Sequence, residues 1–223
     1  MQNKGQIKMP KEIHEYLWTR YLPETTFKLY VMVGYLQTEK IAGEQATALL
    51  LRANLPVENN NPAIIEEKKR ILSSLGFEYP NNRKEDLELL LRFKLVTIVK
   101  NSEGKLEYMY TLPVPKPEDV LEIGEEEKQA LENIKFEIAH QNAFNMLLTL
   151  VLNNNGSLMS TVGHIENTTR VKISEIRSVL AFLEEEGSIK INAHKDVNSL
   201  KKADKVHVTI NKEIFEQKRC VLD

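Results

Sequence analysis

SEIRSVLAFLEEEGSIKI, from Ser174 to Ile191, joins two periodicities. Ile173, Ile176, Leu180 and Leu183 recur at spacings of three and four, which gathers them on one face of a helix, while Lys172, Glu175 and Arg177 point elsewhere. Gly187 stands where the residue ending a helix takes positive φ. Ile189 and Ile191 then alternate with Ser188 and Lys190, as in a half-buried strand. One face of the helix is expected to pack, and another is left free to touch something else.

Toward the N-terminus, Asn153, Asn154, Asn155 and Gly156 stop an apolar run that includes Leu131, Ile134, Phe144, Leu147, Leu148 and Val151, compatible with one long helix or two in sequence. Ser160 is expected to cap a short helix over Thr161 to Asn167 with Val162 and Ile165 inward, and Thr168, Thr169 and Arg170 to turn into the helix above. On the other side comes a polar loop, AHKDVNSLKKAD, and then KVHVTIN, whose Val206, Val208 and Ile210 alternate with His207 and Thr209. The expected order is helix, short helix, turn, helix and two strands.

Before this unit, TLPVPKPEDVLEIGEEE (Thr111 to Glu127) places three prolines within five residues and then a concentration of acids, which breaks the periodicity on both sides. The N-terminal half repeats the plan: helices over Thr25 to Glu39, Gly43 to Leu55, Ala63 to Leu75 and Arg83 to Phe93, with Leu87, Leu90 and Leu91 as the stripe of the last. LVTIVKN and KLEYMYTL then form an antiparallel hairpin. The class is mainly α with small β-hairpins (α+β). The divisions are an N-terminal arm (1–22), a first domain (23–114), an acidic linker (115–128) and a second domain (129–223). Trp18, with Tyr16, Leu17, Tyr21 and Leu22, is expected to pack on the first domain, the alternative being a partner-binding arm.

The helix, glycine and strands of 142–211 resemble the winged helix-turn-helix superfamily, and 25–112 resembles it more loosely, as a divergent second copy. The resemblance implies two tandem winged-helix-like domains. It also implies that the helix after the turn lies in a DNA major groove, presenting Lys172, Ser174, Glu175, Arg177, Ser178 and Ala181. Lys190, His194, Lys195, Lys201, Lys202 and Lys205 would be wing contacts to phosphate.

Two local features agree with that implication. Arg170, Lys172 and Arg177 lie at or near the N-terminal half of the helix, where its dipole and free backbone N–H groups favour phosphate, and arginine there can be bidentate to guanine. Five lysines from Lys190 to Lys205 face only Asp196 and Asp204, an excess suited to sequence-independent phosphate contact. The formal net charge is −2, yet 142–219 carries 11 Lys and Arg against 9 Asp and Glu. The corresponding helix of the first domain starts with Arg83 and Lys84 but continues with Glu85, Asp86 and Glu88, acids that suit a helix start and repel phosphate. That domain is expected to be an interaction or scaffold module.

Other chemistry finds little support. Cys220 is the single cysteine, which precludes an intrachain disulfide or a cysteine-based metal cluster. His14, His140, His164, His194 and His207 include no i, i+4 pair. There is no glycine-rich phosphate loop, nucleophile-elbow serine or carboxylate pair suggesting enzyme activity, so neither cofactor nor metal is expected. No signal peptide and no membrane span is read in the sequence, which predicts a cytoplasmic protein without a membrane partner.

The expectation is therefore a DNA-binding transcriptional regulator whose partner is double-stranded DNA. The long apolar helix around Asn133 to Leu152 offers either core or the seam of a homodimer. Two rivals stand beside it. One is a protein-interaction scaffold, as in the tandem winged helices of chromosome-segregation proteins, holding a protein partner through the first domain. The other is a plasmid or phage replication initiator, which also resembles paired winged helices.

Overall fold

A computed structural model of the chain describes residues 7–53 and 61–211. The expected helix end at Leu55 and the position of Cys220 lie outside these residues. The chain is α+β, with two small antiparallel sheets among many helices, and it divides into two compact units at Lys128 and Gln129. No helix among the described residues is long and apolar enough to cross a membrane.

The first unit contains α1 (Glu12–Glu15), α2 (Glu24–Thr38), α3 (Gly43–Arg52), α4 (Pro62–Ser74) and α5 (Arg83–Arg92), then strands β1 (Val96–Lys100) and β2 (Leu106–Tyr110). These strands pair with Val96 opposite Tyr110 and Lys100 opposite Leu106. No side chain caps α2; the Thr25 and Thr26 hydroxyls instead donate to Asp86 Oδ1 at 2.9 and 2.6 Å, while Arg83 holds Oδ2 at 2.9 Å. Asp86 is buried, so it does not belong to an outward acidic face. The buried stripe of α5 is Leu87, Leu89 and Leu90, with Leu91 only half-buried.

The N-terminal segment is part of this core, the packing expected for Trp18, Tyr21 and Leu22. Ile13, Trp18 and Tyr21 are fully buried, and Trp18 packs its ring 5.4 Å from Phe93 while its Nε1 donates to the Pro115 carbonyl at 2.7 Å. A buried indole N–H needs such a partner. Residues expected as a linker also contribute: Leu121 and Ile123 are buried, and Glu127 receives Arg20 Nε at 2.7 Å. The prolines interrupt periodicity without freeing the chain from the unit. At the other side, the Tyr110 hydroxyl reaches the Tyr30 carbonyl at 3.1 Å past Gly34, where a Cβ would stand 2.2 Å from that hydroxyl.

The helix α6 (Glu125–Ala139) has its first turn in the first unit and its remainder in the second. It is separate from α7 (Gln141–Asn153), so the apolar run forms two helices that break at His140. There follow β3 (Ser157–Thr161), α8 (Val162–Thr169), α9 (Ile173–Glu185), β4 (Ile189–Ala193) and β5 (Lys205–Ile210). β5 is the middle strand: Leu158 pairs with Val208 on one side and Ile191 with Val208 on the other. Strand β3 occupies a segment for which no element is expected before the helix at Thr161. Thr161, not Ser160, caps α8, accepting from the His164 backbone N–H at 3.2 Å.

The core of the second unit brings Phe144, Leu147 and Val151 of α7 against Ile176, Val179, Leu180 and Leu183 of α9, closed below by Leu158, Ile189, Val206 and Val208. Val179 takes the buried place on α9 expected for Ile173, which is only half-buried. Gly187 has φ +70° and lets the chain leave α9 for β4, as expected. Ser188 is buried beside it instead of facing out.

Candidate nucleic-acid interface

The exposed surface around the start of α9 is built by three segments. The α8–α9 turn supplies Arg170 and Lys172, α9 supplies Ser174, Arg177 and Ser178, and the connection from β4 to β5 supplies Lys195, Lys201 and Lys202. Lys205 opens β5, while Lys190, opposite Thr209 at the other end of that strand, follows the C-terminal end of α9 and lies apart from this surface. Arg170 ends α8 in the left-handed region, at φ +62°, and this tight reversal brings Lys172 directly to the N-terminus of α9. Arg170 and Lys172 are exposed and, with Glu166, Asn167 and Val171, line an open depression of about 420 Å³.

Arg177 is engaged within the fold. Its Nε donates to the Ile173 carbonyl at 3.3 Å and its Nη1 to the Asn198 carbonyl at 2.9 Å, linking α9 to the β4–β5 connection. The Ser178 hydroxyl donates back to the Ser174 carbonyl at 3.1 Å. That connection, read from sequence as a polar loop, carries two core residues: Val197 and Leu200 are buried around a 3-10 turn at Val197–Ser199. Asp196 starts the turn by accepting from the Asn198 backbone N–H at 2.9 Å.

The wing lysines fall into two groups. Lys202 pairs with Glu166 at 2.5 Å, and Glu166 also accepts from the Ile173 backbone N–H at 3.4 Å. Chiefly through the Lys202 ammonium, this carboxyl is held below the usual carboxylate range. Lys195 pairs with Asp204 at 3.1 Å, and His194 approaches the same carboxylate at 3.4 Å. The Lys201 backbone N–H, at 2.7 Å, is the main group holding Asp204 down, with Lys195 and His194 adding to it. The side chains of Arg170, Lys172, Lys190, Lys201 and Lys205 are exposed and have no carboxylate partner among the described residues.

Close packing fixes the connection against α8. Gly163 donates to the Lys202 carbonyl at 2.8 Å and Val162 to the Asp204 carbonyl at 3.0 Å, and a Cβ at Gly163 would stand 3.0 Å from the Lys202 carbonyl oxygen. The structure thus puts these ten residues in one unit and divides them. Five are unpaired cations, and Lys195, Lys202, Arg177, Ser174 and Ser178 take part in internal bonds. Glu166 and Asn198 belong to the arrangement although neither stands out as a contact in the sequence. Glu166 lies seven residues before Ile173, and only the left-handed turn at Arg170 brings the two together.

Among the described residues no group of three or more His, Cys, Asp or Glu is placed to hold a metal ion. No curated protein and no solved structure matches the chain. A family pattern does match, over residues 7–222, and so spans both units; the chain belongs to this family of unknown function, DUF6042.

Proposed function

We propose that the second unit is a winged helix-turn-helix that binds double-stranded DNA, and that the protein is a transcriptional regulator. The observation that carries this reading is the order of α7, β3, α8, α9, β4 and β5 with β5 in the centre of the sheet. It is the order of a winged helix, including a first strand that was not expected from the sequence. In support, Arg170 and Lys172 are exposed at the start of α9 and Lys201 in the β4–β5 connection. Lys172 is at the start of the groove helix, Lys201 is in the wing, and Lys190 and Lys205 are on its strands.

On this reading the unpaired cations contact phosphate and set affinity, while Ser174 and Glu175 are the groups of α9 nearest the base edges. Arg177 is a positioning residue that fixes the wing on the groove helix. The test is fluorescence anisotropy with a mixed-sequence duplex at low and near-physiological salt, using wild type and a Lys172→Ala, Lys201→Ala double variant. Loss of two phosphate contacts flattens the dependence of log K on log salt by about two. Identical slopes for the two proteins contradict the reading.

The first unit supports a different role. Its α5 presents Glu85 and Glu88, and its hairpin leaves Ile98 and Val99 about 40% exposed. An acidic helix beside exposed apolar strand residues suits a protein partner better than a nucleic-acid backbone. In this reading the first unit is the interaction module of the regulator.

A further inference from the structure

Between α4 and the start of α2, the first unit has a half-open cavity of about 480 Å³, within the size range of small-molecule sites. Leu22, Phe27, Ile64, Ile65, Tyr79 and Pro80 give it a mainly apolar wall. One cation reaches this wall. Lys68 Nζ donates to the Thr19 carbonyl at 2.7 Å and to the Leu22 carbonyl, so two of its three N–H bonds are used. No carboxylate among the described residues forms an ion pair with it. Glu24, which also lines the cavity, is neutralised by Lys28 at 2.7 Å. Burial pushes the Lys68 ammonium below the ordinary lysine range, with the more distant Glu24 and Glu67 opposing the shift.

An ammonium held by two neutral carbonyls against an apolar wall has no carboxylate in ion-pair contact among the described residues, although Glu24 and Glu67 act on it electrostatically. A carboxylate supplies that contact and accepts the third N–H, and an alkyl chain attached to it covers Phe27, Ile64 and Ile65. Inorganic anions offer nothing to the wall, and neutral apolar molecules offer nothing to Lys68. We propose that this cavity binds amphipathic monocarboxylates of medium chain length, with Lys68 pairing the carboxylate and the α4 face holding the chain. The proposal rests on the first unit alone and is independent of DNA binding.

The test is calorimetric titration of the full chain with octanoate and, as a neutral match, octanamide. Wild type is expected to bind octanoate saturably and octanamide at least about tenfold more weakly, the factor that corresponds to about 1.4 kcal/mol. Ile64→Glu places a like charge in the wall at a position 37% exposed, so it leaves the melting temperature unchanged and abolishes octanoate binding. Lys68→Gln should remove the preference for the carboxylate over the amide. Because that variant also disturbs the bonds to Thr19 and Leu22, Ile64→Glu is the decisive control. Absence of saturable binding up to millimolar octanoate, equal affinity for the amide, or undiminished binding by folded Ile64→Glu would overturn the proposal.

Discussion

Arg177 shows how a single side chain changes role between sequence and structure. As a cation on the free face of a helix it is a natural base reader, but its Nε and Nη1 already donate to the carbonyls of Ile173 and Asn198. A hydrogen bond from a charged donor contributes about 1.5 to 3 kcal/mol, so Arg177→Ala is expected to destabilise the second unit by about 2 kcal/mol. Circular dichroism melting checks this, and an unchanged melting temperature would return Arg177 to the pool of free cations. Nothing in the sequence indicates the partner at Asn198, because the bond spans 21 residues and depends on where Val197 and Leu200 anchor the connection. Asp86 is a similar case. Its helix-start position was legible, but its burial depends on two hydroxyls from α2, 60 and 61 residues away.

At the scale of elements, α2 to α5, α8, α9 and the β4 and β5 strands were legible because each has an apolar pattern and a stop signal, as Leu180, Leu183 and Gly187 do for α9, whereas α1 was not and the α6–α7 run left one helix or two open. Strand β3 was not. SLMST has only Leu158 buried on its inner side, while Met159 is 76% exposed, and five residues with one core contact carry no period. The strand exists because β5 offers it a paired edge. The pairing of α8 with the wing through Glu166 and Lys202 has a functional consequence under the DNA reading. Glu166 occupies the cation and the backbone N–H that a phosphate would use. Glu166→Gln releases Lys202, so duplex affinity should rise and the salt slope steepen by about one. Anisotropy at several salt concentrations measures both; weaker binding with an unchanged slope would show that the pair orders the wing and does not compete with DNA.

For the whole molecule, the two units differ in a way that makes each observable. All seven tyrosines and the single tryptophan precede residue 129. Burial, assisted by nearby carboxylates and tyrosines, pushes Tyr21 and Tyr30 well up, and burial raises Tyr110 to about 12. Unfolded tyrosine loses its proton near 10, whereas folded Tyr110 keeps it to about 12. Between these values the unfolded chain binds fewer protons, so stability contributed by these groups is complete below pH 10 and is lost as pH rises toward 12. Trp18 fluorescence, together with tyrosinate absorbance, should therefore report cooperative opening of the first unit in that window. A gradual tyrosine titration near 10 without a change at Trp18 would contradict the buried arrangement. The acids of the 115–128 segment suggested a linker, but its apolar residues Leu121 and Ile123 pack with the first unit, where the alternation of proline and acid conceals them.

The most direct test of the DNA reading is amide chemical-shift mapping of the full chain with a mixed-sequence duplex at low salt. Shifts concentrated at 170–178 and 201–205, reversed by added salt, are expected, while amides of α2 and α5 stay in place. Absence of shifts in the second unit, or shifts confined to the first, would contradict it.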